Sequence, residues 1–303
     1  MMKKTLLFLP ILIFAYGLLR FPDIAGTAVQ EGLTLCFRAI IPSLFPFFVV
    51  ISLLLQMGFA RQLQRLFSPF MGPLFHLSGV CAAPLLAGLV GGYPTGAKTV
   101  ADLYSTGQIS RPEAERSLAF VNNCGPAFLL SYVGAGVLGS SRAGVYLLLI
   151  HVAAALLSGL LLCRTAAPRT QTARPQRPPA PAKDASLAVA FPTAVTGALT
   201  STLHICGFVV LFRVIAALLP GALPAPLLGF FEMVTGVAAL SPGRPGFIAA
   251  AGIVGWGGLS VHCQAMAVLA DTGLSLRRHW LGKGLQSLLS VLLALGVSLW
   301  LFP

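Results

Sequence analysis

Apolar residues along this chain come in long runs rather than in alternation: Thr5 to Leu19, Leu33 to Met57, Ala127 to Cys163 with an interruption near Arg142, Leu187 to Leu219, Phe247 to Ala270 and Leu285 to Phe302. Most are long enough, at about 20 residues per crossing, to span a bilayer as helices. The pattern predicts an all-α polytopic membrane protein with no useful soluble domain between the spans. Polar punctuation then divides it. The segment Arg164 to Ser186 is rich in proline, alanine and arginine and has no apolar face, so it reads as an extended cytosolic linker. It separates a first half, residues 31–163, from a second, residues 187–303, with an N-terminal span over residues 1–30 ahead of both.

The two halves carry similar segments in the same order. "FFVVISLL" (Phe47 to Leu54) is like "GFVVLFRV" (Gly207 to Val214), "LVGGYPTG" (Leu89 to Gly96) is like "IVGWGGLS" (Ile253 to Ser260), and "STGQISR" (Ser105 to Arg111) is like "DTGLSLR" (Asp271 to Arg277). Two repeats are therefore expected.

Within them, "GLVGGYPTGAK" (Gly88 to Lys98) places glycine and polar residues beside oily sequence. If it is the tip of a re-entrant hairpin, Lys3 and Lys4, Arg61 and Arg65, Arg111 and Arg116, and the linker arginines all stay on the cytoplasmic side. The N-terminus would then be cytoplasmic and the repeats inverted. Such backbone survives at membrane depth only where protein or a water-filled cavity satisfies its polar groups.

A second break follows. Ser110 and Glu113 form a capping box around Pro112, and the helix they start should be interrupted at Asn122, Asn123, Gly125 and Pro126. In the second half "GWGGLSVHCQ" (Gly255 to Gln264) stands where the hairpin tip stands in the first. "IPSLFP" (Ile41 to Pro46) and "TSTLHICG" (Thr200 to Gly207) are matched polar or proline-broken patches.

Composition sharpens the class. Hydrophobic residues make up 56% and charged residues 9%. The formal charge of +12 is scattered over short loops, which suits positive-inside orientation rather than nucleic acid. The six cysteines show no C-x-x-C spacing, so neither a disulfide framework nor a metal site is expected. No G-K-[ST] occurs, which argues against nucleotide hydrolysis, and no cofactor is expected. "MMKKTLLFLPILIFAYGLLR" resembles a signal peptide as much as an anchor, and an uncleaved first span is the preferred reading.

Paired, interrupted helices in two halves point to a transporter, because half-helix ends offer unpaired N–H and C=O groups to a solute. The candidate site residues are Gly92, Tyr93, Thr95, Gly96 and Lys98 at the hairpin tip, Asn122, Asn123 and Gly125 at the second break, and Ser260, His262 and Gln264 in the other half. Plainer roles compete: Lys98 snorkelling to an interface, Tyr93 in an aromatic belt, the asparagines capping a break, His262 packing as a neutral ring. Glu232 and Arg213 are ionisable groups within apolar runs, either a structural pair (with Arg38 as another partner) or, for Glu232, a group that couples transport to an ion. An intramembrane enzyme is disfavoured, since Ser260 and His262 are two residues apart and face different sides of a helix.

"GGYPTGAK", "ISRPEAERSLAFVNNCGP", "FEMVTG" (Phe231 to Gly236) and "GWGGLSVHCQ" together resemble the YlbJ-type sporulation membrane proteins of the nucleoside-recognition, or Gate-domain, group. The resemblance implies a concentrative-nucleoside-transporter-like core in a bacterial cytoplasmic or outer forespore membrane. It also implies a small-molecule anion, dipicolinic acid, as the transported species. Dipicolinate needs cations or half-helix N-termini for its carboxylates and an aromatic wall for its ring. A non-transporting scaffold and a nucleoside or other organic-anion carrier remain the rivals, and self-association as a homo-oligomer is left open.

Overall fold

A helix satisfies its own backbone, so runs of leucine, valine, alanine and phenylalanine of this length fold as helices in lipid. The computed structural model describes residues 2–57, 59–164, 186–219 and 223–302; the expected linker, Lys183 included, lies almost wholly outside them. The helices are α1 (Met2–Arg20), α2 (Pro22–Leu35), α3 (Ile41–Gln56), α4 (Phe59–Phe75), α5 (Ala82–Gly91), α6 (Thr95–Ser105), α7 (Arg111–Ser117) and α8 (Ser141–Arg164), then α9 (Leu187–Ala217), α10 (Ala225–Phe231), α11 (Met233–Ala238), α12 (Arg244–Trp256), α13 (Gly258–Leu269) and α14 (Arg277–Leu301). Cys36–Ile40 and Phe128–Val137 are π-helical. No strand occurs among the described residues, and the fold is that of a polytopic all-α membrane protein.

Four stretches are long and apolar enough to cross a membrane unbent: Ser141–Arg164, Leu187–Ala217, Arg244–Thr272 and Arg277–Leu301. Two more pass only as bent pairs, Phe8–Arg20 with Pro22–Arg38 at 98° and Arg65–Phe75 with Gly79–Gly91 at 112°. α14 packs between α8 and α12, and α9 lies along α2 and α3. One apolar cluster surrounds the middle of the molecule, with Leu44, Tyr93, Phe128, Val209, Met233 and Phe247. A second, with Met71, Phe75, Leu85, Leu118 and Phe120, lies among α4 to α7.

The glycine-rich tip is a hairpin. α5 and α6 pack closely enough that a Cβ on Gly88 would meet the Gly96 Cα at 3.3 Å, and the Thr95 hydroxyl donates back to the Ala87 carbonyl at 2.6 Å. Gly92 turns the chain at φ +74°, a conformation other L-residues rarely adopt. The second-half glycines act differently. Gly257 and Gly258, at φ +89° and +81°, separate α12 from α13 within one 29-residue span rather than at a hairpin.

The matched patches also depart from expectation, because neither interrupts its helix. α3 runs through Pro46, and α9 is continuous for 31 residues past Thr200 and Thr202, whose hydroxyls bond the carbonyls of Thr196 and Ala198. A hydroxyl that bonds its own helix needs no break.

The turns after α6 and α13 do share geometry. Gly107 and Gly273 sit at φ +69° and +64°, and the segments meet: Arg111 donates to the Gly273 carbonyl at 2.7 Å, and Ser275 N–H donates to Glu115 at 3.0 Å. Past that point the likeness ends, since α14 continues unbroken for 25 residues where the first half breaks after α7.

The predicted capping box at Ser110 is present and reaches further than expected. Glu113 accepts N–H groups from both Ser110 and Ser78, each at 3.0 Å, and so ties the start of α7 to the α4–α5 turn. Burial pushes its carboxyl up, but the bonds from Ser110 and Ser78 outweigh this and hold it below the usual range. A depressed carboxyl contributes stability above its unfolded value of about 4.3 and loses it as pH falls through the lower folded value. Glu113→Gln is therefore expected to cost roughly 1 kcal/mol at neutral pH. The gap between variant and wild type should close on acidification, which thermal melts from pH 7 to pH 3 would register.

Candidate functional site

The segment after α7, residues 118–125, is non-helical backbone in the interior, with Asn122 and Asn123 fully buried. Its polar groups are met by side chains of α14 and α8. His279 Nδ1 donates to the Leu118 carbonyl at 3.3 Å, Lys283 Nζ to the Asn122 carbonyl at 3.3 Å, and Cys124 N–H to His151 Nε2 at 3.1 Å. Asn123 closes the turn on itself, its Nδ2 donating to the Phe120 carbonyl at 2.8 Å, while its Oδ1 accepts from Gln286 Nε2 at 3.0 Å. The Asn122 side chain has no hydrogen-bond partner among the described residues.

Lys283 is the centre of this arrangement. It is 1% exposed, and its Nζ donates to the Tyr93 hydroxyl and Gln286 Oε1, both at 2.8 Å, as well as to Asn122. The ammonium also lies 5.1 Å from the Tyr93 ring centre. No carboxylate pairs with it among the described residues.

In front of Tyr93 lies a narrow cavity of about 40 Å³. The hairpin tip lines it with Gly92 and Tyr93, the second break with Cys124 and Gly125, the α10–α11 break with Glu232, and α13 with Ser260 and Gln264. Leu44, Phe48, Phe128, Ile205 and Val209 complete an apolar and aromatic wall. Glu232 is extended backbone at φ −143° and caps α11, its carboxylate accepting the N–H groups of Val234 at 3.0 Å and Thr235 at 2.6 Å. Ser260 approaches the same carboxylate at 3.5 Å. The Gln264 Oε1 has no partner among the described residues.

Of the sequence candidates, Gly92, Tyr93, Gly125, Glu232, Ser260 and Gln264 thus share one cavity. Others have different work. Thr95 fastens the hairpin, and Gly96 lets it press on the Val121 carbonyl. Asn122 and Asn123 lie behind the cavity, in the Lys283 network. His262 bonds His279 at 2.9 Å and stacks on Trp280, whose ring centre is 4.1 Å away. Lys98 does not line this cavity: it is exposed on α6, which buries its Gly96, Ala97 and Val100 face. The Glu232–Arg213 pair is corrected. Arg213 bonds Glu31 at 2.6 Å across α2 and α9, and Glu232 is held by backbone.

Sequence reasoning missed Lys283, Gln286 and His151. The apolar run read as starting at Leu285 leaves Lys283 outside, although α14 already begins at Arg277. A lysine between Gly282 and Gly284, with Trp280 and Leu281 before it, was the available signal.

A family model described as nucleoside recognition (Gate) matches residues 37–298. The sporulation integral membrane protein YlbJ of Bacillus subtilis (strain 168) is 30% identical over 307 residues, covering 88% of this chain and 75% of that protein. No solved structure matches the chain.

Proposed function

Because this chain belongs to the nucleoside-recognition Gate family, we propose that it is a membrane carrier in sporulation that moves a small planar organic anion, dipicolinate first, by alternating access. The observation that carries this reading is the convergence of three chain breaks on one aromatic-walled cavity. We assign the ring of dipicolinate to the wall of Phe48, Tyr93 and Phe128, and its carboxylates to the N–H groups opening α13 and the Gln264 amide, in a state where the hairpin tip has moved and the cavity is wider. The hairpin tip, which forms one wall, is the natural gate, and the cycle has no chemical step.

Reconstituted protein in liposomes is expected to take up labelled dipicolinate. Gln264→Leu should raise the half-saturating concentration roughly tenfold, the loss of one hydrogen bond to a charged ligand. No uptake by wild type would favour a non-transporting scaffold. One feature of the lining favours a nucleoside instead: the Glu232 carboxylate suits ligand hydroxyls better than it suits a second anion. Competition by unlabelled nucleosides at concentrations where dipicolinate saturates would decide for that substrate.

A further inference from the structure

The Lys283 ammonium faces three neutral oxygens and uses one N–H on each: the Tyr93 hydroxyl, Gln286 Oε1 and the Asn122 carbonyl. Those oxygens belong to the hairpin tip, to α14 and to the broken segment. Tyr93 in turn has its own O–H free to donate to the Val254 carbonyl on α12, at 3.4 Å. The arrangement depends on the proton. A neutral amine has two donors and a lone pair, so one of the three oxygens would go without its donor, and the Tyr93 hydroxyl would turn from Val254 to the amine.

We propose that Lys283 is a proton-operated latch: protonated, it ties the hairpin tip to α12, α14 and the broken segment, and loss of that proton frees the tip. That the freed tip admits substrate rests on the carrier reading above; the latch itself does not.

A charge in the interior without a counter-charge is costly, and giving up the proton removes that cost. The neighbouring groups leave this unopposed. His151 on α8 accepts the Cys124 N–H and so is held as a neutral ring acceptor. His262 on α13 and His279 on α14 bond each other, with His279 also donating to Leu118. Cys124 and Tyr93 are neutral donors, Glu232 is engaged with the α11 backbone, and the Arg116 charge on α7 acts on Cys163, whose thiol donates to the Arg116 backbone carbonyl.

The test is amide hydrogen exchange of the 88–98 segment in lipid nanodiscs at pH 6 and pH 9, corrected for intrinsic rates. Wild type is expected to exchange there roughly tenfold faster at pH 9, the loss of a charge-assisted bond. Lys283→Met should exchange fast at both pH values and Lys283→Arg slowly at both, with α8 and α12 protected throughout as the sign that each variant is folded. Equal protection of wild type at the two pH values overturns the proposal, as does a wild-type pH response that survives in Lys283→Met. If the methionine variant loses protection everywhere, the arginine variant decides: a pH response retained there overturns the latch, and its disappearance supports it. Dipicolinate uptake is scored separately. A responsive tip without uptake sinks the carrier reading alone, and uptake with an unresponsive tip sinks the latch alone.

Discussion

A Gly96→Val variant is expected to lose the folded hairpin and nearly all monodisperse protein after membrane extraction. A Cβ at position 96 would overlap the Val121 carbonyl oxygen and stand 3.2 Å from the Asn122 Cα, while the opposing face at Gly88 meets the same carbonyl. All of these contacts are backbone, so no side chain can swing aside. Overpacking against movable side chains costs roughly 1–3 kcal/mol, and an immovable backbone places this case at or above the top of that range. Gly197→Val on α9 is the matched control, since nothing lies within 4 Å of its Cβ position. Size-exclusion profiles and thermal melts of the two variants should differ sharply. A Gly96→Val protein that melts with wild type would mean that α5 and α6 do not pack this way.

The second large effect is expected at Gln286. Its amide donates to Asn123 and lies 3.4 Å from His151 Nε2, and its oxygen accepts from Lys283, all of them buried. Gln286→Leu keeps the volume and removes both functions, leaving the Asn123 oxygen and one Lys283 donor unpaired in the interior. Each orphaned group costs roughly 1–3 kcal/mol, more where it is charged, so the sum should exceed about 2 kcal/mol. Asn123→Ala should be costly alone yet add little to Gln286→Leu, with a coupling of roughly 0.5–3 kcal/mol in a double-mutant cycle. Thermal melts of the four proteins in lipid nanodiscs give that number. Strict additivity would show that the two residues do not share a bond and that residues 118–125 are not satisfied in this way.

These two positions also mark where the sequence was readable and where it was not. The glycines of "GGYPTG" announced a turn because glycine adopts positive φ and lets helices touch, both local properties. Asn122 through Pro126 announced a break for the same kind of reason. What satisfied the break was not local. His279, Lys283 and Gln286 on α14, about 160 residues further along, supply its hydrogen bonds together with His151 on α8. Open peptide groups at depth do not therefore require a passenger or trapped water. Lys98 and Lys283 make the contrast concrete. Lys98 stands two residues after Gly96 and Lys283 stands between Gly282 and Gly284, and the one nearer the motif drew attention. It faces outward, while the one on a seemingly ordinary helix is buried.

By itself the amino-acid sequence determined that the chain is helical, that it spans a membrane several times, that it turns at the "GGYPTG" glycines and breaks near Asn122, and which Gate-type motifs it carries. All of these follow from hydrophobic run length and from the backbone preferences of glycine, proline and capping residues, which act over a few positions. Only the tertiary structure decided that six of the candidates line one cavity, that Glu232 caps α11 while Arg213 bonds Glu31, and that Lys283 joins the hairpin tip to the broken segment. A lone buried polar group takes whichever partner packing brings within about 3 Å, and that choice is made between helices far apart in the chain.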